Sequence, residues 1–255
     1  MASAYELAFL SEYVYKSSGV QQTRTFNIGG DPNDTYFDRM QTQRGVATPR
    51  TKRGDWAIIA DNGISNNFYA SKFQNLHTGE FVISFRGTGS ERSRTYTKGI
   101  LDTIFQRLER ITNDVSVDIQ HLIFRASPYV DAAAKFIAKH KEDKLIITGH
   151  SLGGFLAYSM AFYHPVKVVA FNPPHVVNKP VEKIYELSKH KNYNSSKMHI
   201  FESSDDFVTM LTRLFKSMPK NIKYMHGQTG GHSIDGVIKY LKTSKTGASE
   251  LKWDY

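Results

Sequence analysis

From Ser127 to Glu202 the chain alternates helical and extended patterns in regular succession, and no other feature limits its possible folds so narrowly. Ser127 and Pro128 supply a helix start, and Val130, Ala133, Ala134 and Ile137 follow at i, i+3, i+4 and i+7. A short buried strand, LIIT, comes next, then a small-residue helix from Leu152 to about Tyr163, a strand VKVVAFN, a helix around VEKIYELSKH and a strand MHIFE. Strand, helix, strand, helix, strand in that order implies a parallel sheet wrapped by crossover helices. A last helix is predicted after Gly231, with Ile234, Val237, Ile238 and Leu241 on one face. Upstream, the segment Asn67 to Asn75, the polar turn HTGE and the run FVISFR predict two strands joined as a hairpin. Leu7, Leu10 and Val14 recur at helical spacing near the start. Residues Gln21 to Asp55 read as a long irregular connection with room for one short element, and the tail TSKTGASELKWDY reads as loosely held.

Length and composition narrow the function classes. At 255 residues, with no repeat and no Pro/Gly/Ser linker, one domain over 1–255 is expected, with 1–55 its less regular part and 243–255 a flexible tail. The absence of cysteine excludes a disulfide scaffold, a Cys-ligated metal and a thiol nucleophile. Lys and Arg number 33 against 24 Asp and Glu, which leaves a net charge of +9. Such a balance favours anionic surfaces such as phospholipid or nucleic acid. No nucleic-acid-binding motif accompanies it, so nucleic acid is not an expected partner. The opening MASAYELAFLSEYVYK carries Glu6 and Glu12 within its apolar stretch and does not read as a secretory signal. The most apolar long stretch, Gly153 to Asn172, is broken by His164, Pro165 and Lys167, too soon for a membrane span. The expectation is therefore a soluble protein, cytoplasmic by default. Asp31, Asn33 and Asp34 resemble a calcium loop, but Tyr36 and Thr42 stand where Gly and Glu belong. No zinc spacing occurs, and RGTGSER has Arg92 where a dinucleotide loop needs a small residue, so no metal or cofactor is expected.

The chemistry is carried by LIITGHSLGG, Leu145 to Gly154. Gly149, His150, Ser151, Leu152 and Gly153 form a G-x-S-x-G pattern between an apolar strand and a small-residue helix. In that context the serine sits on a tight strand-to-helix turn, and a side chain at either flanking glycine would collide with the neighbouring backbone. The helix start behind the serine aims backbone N–H groups at the place where an oxyanion forms, and the N–H of Leu152 supplies one donor. A serine alone is a poor nucleophile, so a carboxylate and a histidine base are expected after it in the chain.

GHSLGG after a short strand, with SFRGT far upstream, resembles the class 3 lipases of the α/β-hydrolase fold, over about Trp56 to Leu241. The resemblance implies a mostly parallel central sheet flanked by helices and a serine, Ser151, that attacks an ester carbonyl. It places the acid in MHIFESSDDFV, where Asp206 before Phe207 and Val208 is preferred and the adjacent Asp205 is the alternative. Phe207 replaces the proline usual there, and one of the two acids suits a solvated turn. It places the base at His232 in GGHSID, before the last helix, with His226 as the rival. His150 takes a structural role in this comparison, and Thr88 in SFRGT gives the second oxyanion donor. Arg86 reads as a structural ion-pair partner. In the family the following segment is a lid; here Ile100, Leu101, Ile104, Phe105, Leu108 and Ile111 share one helical face within 89–112, a pattern equally suited to a helix packed on the core. Basic residues there, Arg92, Arg94, Lys98, Arg107 and Arg110, would favour peripheral contact with an anionic lipid interface.

These readings converge on a serine esterase of acyl lipids, a lipase of the triacylglycerol type or a related one, with phospholipase A1-type activity as the close alternative. A non-catalytic member of the fold that binds lipid or a protein is the alternative of another class.

Overall fold

The run Leu145–His150 is buried at every position, as a strand covered on both faces must be. A computed structural model describes residues 2–16, 25–27, 55–62, 68–87, 127–174, 195–206, 209, 222–226, 231–244 and 251. In chain order its elements are α1 (Ala4–Lys16), β1 (Thr25–Asn27), β2 (Asp55–Asp61), β3 (Ala70–Asn75), β4 (Phe81–Phe85), α2 (Ser127–His140), β5 (Leu145–His150), α3 (Leu152–Tyr163), β6 (Lys167–Phe171), β7 (Met198–Ser203), β8 (Ile222–Met225) and α4 (Ile234–Thr243). The strands form one eight-stranded sheet in sequence order. β1 to β4 pair antiparallel, and β4 to β8 pair parallel. This is the α/β-hydrolase class read from the sequence: a sheet whose larger, C-terminal part is parallel, with helices on both faces.

Alternation along the parallel strands divides the interior in two. Leu145, Ile147, Val168, Ala170 and Ile200 face α2 and α3, whereas Ile146, Val169, Phe171 and Phe201 face α1 and α4. The helical stripes meet these faces as their periodicity requires. Val130, Ala133 and Ile137 of α2 are buried, as are Leu7, Leu10 and Val14 of α1 and Val237 and Leu241 of α4. α3 is different, because every residue from Leu152 to Phe162 is buried. A helix apolar all round belongs in the centre of a protein, and this one follows the candidate nucleophile directly.

α1 begins with a reciprocal cap that the sequence reading overlooked: the Ser3 N–H donates to Glu6 Oε2 at 2.8 Å and the Glu6 N–H to Ser3 Oγ at 3.2 Å. The hairpin of β3 and β4 turns through Gly79 at φ 67°. Asn75 closes it, accepting the His77 and Thr78 N–H groups on Oδ1.

The one short element allowed within the irregular Gln21 to Asp55 connection is β1, paired with β2, whereas β2 and β8 have no counterpart in the sequence reading, and two expectations meet a different outcome. Within the tail, expected to be loose, Leu251 is 3% exposed and packs in the core beneath α1 and α4. Arg86, expected to pair with a carboxylate, holds its guanidinium over the Tyr69 ring, 5.6 Å from its centroid; among the described residues no carboxylate reaches it. The helix around VEKIYELSKH and the 89–112 segment lie outside the described residues.

Candidate active site

β5 ends at His150 and α3 starts at Leu152, so Ser151 alone makes the turn between them. It does so at φ 57°, ψ −128°, a backbone region that L side chains rarely occupy. Strain of this kind costs about 1–3 kcal/mol and persists where the surroundings hold it. Here the Ser151 N–H donates to the Phe171 carbonyl at 3.0 Å and the Ser151 carbonyl accepts from Phe155 N–H at 2.9 Å. The flanking glycines permit the turn by close approach: a Cβ on Gly149 would overlap the Gly153 carbonyl. A Cβ on Gly153 would overlap the Phe85 carbonyl oxygen and stand 2.9 Å from the Arg86 carbonyl carbon and the Gly87 nitrogen. All of these are backbone atoms of the helix, of β4 and of the loop after it, and cannot yield cheaply. Gly153→Ala is therefore expected to lower stability by about 3 kcal/mol, read as a lower urea midpoint at unchanged m.

Three side chains from separate elements converge at the turn. His232, just before α4, has Nε2 2.7 Å from Ser151 Oγ. Its Nδ1 is 2.8 Å from Oδ2 of Asp206, which follows β7 and is fully buried. The partners assign the tautomer: a carboxylate only accepts, so Nδ1 carries the hydrogen and Nε2 is free to accept from the serine hydroxyl. The two adjacent aspartates take different partners. Asp205 is exposed and its Oδ2 accepts the Gly231 N–H at 3.1 Å, next to His232. His226 lies exposed past the end of β8, its ring 6.3 Å from the Tyr224 ring.

Leu152 is the first residue of α3, and N–H groups of a first helical turn have no partner within the helix. Thr88 lies outside the described residues; its predecessor Gly87 is buried against Ser151.

Around these groups stand supports that the sequence reading missed or undervalued. Asn172, at φ 44° after β6, donates from Nδ2 to Ser203 Oγ at 3.1 Å and to the Gly231 carbonyl at 3.3 Å, and its Oδ1 accepts the Ser203 N–H at 2.8 Å. It thereby ties the ends of β6 and β7 to the segment that carries His232. Asparagine is the non-glycine residue most at home at positive φ, and the FNPP run that ends β6 is the only hint of this in the sequence. His150 is buried, with Nε2 2.9 Å from the His232 carbonyl oxygen and its ring 5.0 Å from the His232 ring. Burial, and then the positive charge His232 can carry, hold its imidazole well below the usual range. His150 is therefore neutral when folded but takes up a proton below about pH 6.5 when unfolded. The unfolded state then binds the extra proton, so stability falls as pH is lowered through that value. The drop in Tm from pH 8 to pH 5.5 is expected to shrink in His150→Asn, measured by circular dichroism.

Among the described residues no cluster of His, Asp or Glu would hold a metal ion, and no helix is long and apolar enough to cross a membrane.

The model of the Tle-like phospholipase domain matches residues 6–252. The chain belongs to this family. Membership places it among hydrolases of lipid esters. A search of the curated proteins finds no match. Similar solved structures include a mutant form of MDLA from Penicillium cyclopium, at 14% identity, covering 88% of this chain and 79% of that one with a TM-score of 0.43. A fungal lipase is similar at 14% identity, 88% and 77% coverage and a TM-score of 0.45. The Rhizomucor miehei lipase propeptide complex is similar at 16% identity, 82% and 62% coverage and a TM-score of 0.40.

Proposed function

We propose that this Tle-like chain is a serine hydrolase of acyl lipids. Ser151 Oγ attacks the acyl carbonyl while His232 Nε2 takes the hydroxyl proton, and the imidazolium formed is oriented and stabilised by Asp206. The carbonyl oxygen becomes an oxyanion, received by the N–H of Leu152 and by Thr88. Collapse expels the alcohol, which leaves with the proton from His232. Water, deprotonated by the same imidazole, then attacks the acyl-serine, and the acyl–Oγ bond breaks as His232 returns the proton to Ser151, which releases the fatty acid with no cofactor. One observation carries this reading: an unbroken hydrogen-bonded path from Asp206 Oδ2 through both ring nitrogens of His232 to Ser151 Oγ, with steps of 2.8 and 2.7 Å. Residues 1–255 act here as one unit, since α1 packs under β5 and the site draws on residues on both sides of it.

Phospholipid is the favoured lipid, and phospholipase A1-type cleavage the favoured reaction, for two reasons. The family is described as phospholipase-like, and a net charge of +9 suits an anionic interface. Triacylglycerol-type lipase activity is the second reading. A fluorophosphonate probe should label the wild-type chain at Ser151. Fatty acid release from phosphatidylglycerol vesicles should exceed that from a triacylglycerol emulsion. A chain that never reacts with the probe would instead be a non-catalytic lipid or protein binder.

A further inference from the structure

Tyr15 and His150 lie 135 positions apart in the chain, yet the Tyr15 hydroxyl, at the end of α1, is wedged between two parts of the site. We propose that Tyr15 is a positioning residue that locks the oxyanion loop after β4 to the nucleophile turn and, through His150, to the segment bearing the base. The proposal rests on the hydrolase reading above.

The partners define the hydrogen bonds. His150 Nε2 faces the His232 carbonyl oxygen at 2.9 Å, which can only accept, so the single hydrogen of this neutral imidazole is on Nε2. Nδ1 is left with a lone pair, and Tyr15 Oη lies 3.3 Å from it. The His150 carbonyl oxygen is 3.2 Å from the same hydroxyl. The Tyr15 hydrogen is thus shared between two acceptors of one residue, the residue immediately before Ser151. Burial pushes the phenol above its ordinary range and keeps that hydrogen in place. The hydroxyl oxygen accepts the Gly87 N–H at 3.1 Å, and Gly87 leads directly into Thr88.

There is little slack in this arrangement. A Cβ on Gly87 would overlap the Tyr15 hydroxyl and stand 2.7 Å from the His150 carbonyl oxygen and 3.3 Å from Ser151 Cβ. One phenol therefore fixes how far the oxyanion loop stands from the nucleophile. His150 passes the constraint on to the backbone of His232. Catalysis of acyl transfer depends on donors held at the place where the oxyanion forms, and displacement of about 1 Å costs about 100-fold in rate.

Tyr15→Phe keeps the ring beside His150, where the centroids are 6.2 Å apart, and removes only the hydroxyl. With a short-chain nitrophenyl ester, and active sites titrated by fluorophosphonate so that only folded protein counts, kcat is expected to fall by about 10- to 100-fold. KM should move less than about threefold, because the loss is felt where the oxyanion forms. Affinity for a trifluoromethyl ketone, which forms an oxyanion on Ser151, should fall in parallel with kcat. Tyr13→Phe, on the same helix with its ring edge-on to Phe73, should leave kcat unchanged. In the double variant with His150→Gln, the loss should not exceed that of the worse single change. Wild-type hydrolysis that survives Ser151→Ala would sink the hydrolase reading and this one with it. Ser151-dependent hydrolysis with a Tyr15→Phe kcat within twofold of wild type, or strictly multiplicative losses in the double variant, would overturn the positioning role alone.

Discussion

Ser151→Ala should lower kcat for ester hydrolysis by about 10⁶-fold while the protein stays folded. The size follows from how triads fail: nucleophile, base and acid act as a unit, so removing the nucleophile forfeits nearly the whole covalent route. What survives is the acceleration that substrate binding and oxyanion donors give to direct attack by water, about 10³- to 10⁴-fold over the uncatalysed rate. Structure offers no reason for the variant to unfold. Ser151 is only partly buried, its backbone bonds to Phe171 and Phe155 do not involve the hydroxyl, and alanine tolerates φ 57° no worse than serine does. His232→Ala should match this loss, and the pair together should be hardly worse than either alone, which separates a concerted triad from two independent contributions. Progress curves with a short-chain nitrophenyl ester measure all three variants, and fluorophosphonate labelling confirms the loss of the nucleophile. Ser151→Ala retaining a hundredth of wild-type kcat would place the nucleophile elsewhere.

What the amino-acid sequence makes legible is what is local in the chain. The turn at Ser151 is written into ten consecutive residues: an apolar strand, two glycines that must approach backbone, and a helix of small residues. The strands and helices around it follow from periodicity in the same way, because Leu145, Ile146 and Ile147 alternate between two covered faces. β2 is hard to read because DWAIIAD adjoins a stretch rich in Asn, Asp, Gly and Arg, and its exposed Ile59 between buried Ile58 and half-buried Ala60 blurs the alternation. β8 has four residues and an exposed Tyr224, too little pattern to distinguish it from a loop.

Groups that meet only through the fold were harder to read. Asp206 and His232 were preferred over Asp205 and His226 by resemblance, with only weak local support: Asp206 stands before Phe207 and Val208, and His232 stands just before the last helix. The fold separates each pair by placing one member on Ser151 or its partner and the other elsewhere. Tyr15 had no local signal and Asn172 only the FNPP run, because their partners come from strands and loops brought near by the sheet. Arg86 shows the converse: a charge suggests a carboxylate, but among the described residues its guanidinium lies over the Tyr69 ring, a neighbour that only the pairing of β3 with β4 supplies.

Asp206→Asn should lower kcat by about 10⁴-fold with little change in KM, although one oxygen becomes a nitrogen of nearly equal size. Two effects act together. Asp206 is fully buried and faces His232 Nδ1 at 2.8 Å, so an imidazolium formed during attack has a negative partner in a medium that screens little. The amide removes that charge. If the amide NH₂ turns toward Nδ1, the ring must also switch tautomer, putting its hydrogen on Nε2, where it can no longer accept from Ser151. A 10⁴-fold loss corresponds to about 5 kcal/mol of transition-state stabilisation, which is more than a misplaced backbone explains. The neighbouring position supplies the comparison. Asp205→Asn keeps an oxygen able to accept the Gly231 N–H, a bond of 3.1 Å at the exposed edge of the loop, so kcat should fall less than about fivefold, in line with the small worth of exposed polar contacts. If the two variants were equally impaired, the buried carboxylate would have no special part in the proton transfer, and the loop as a whole would be what matters.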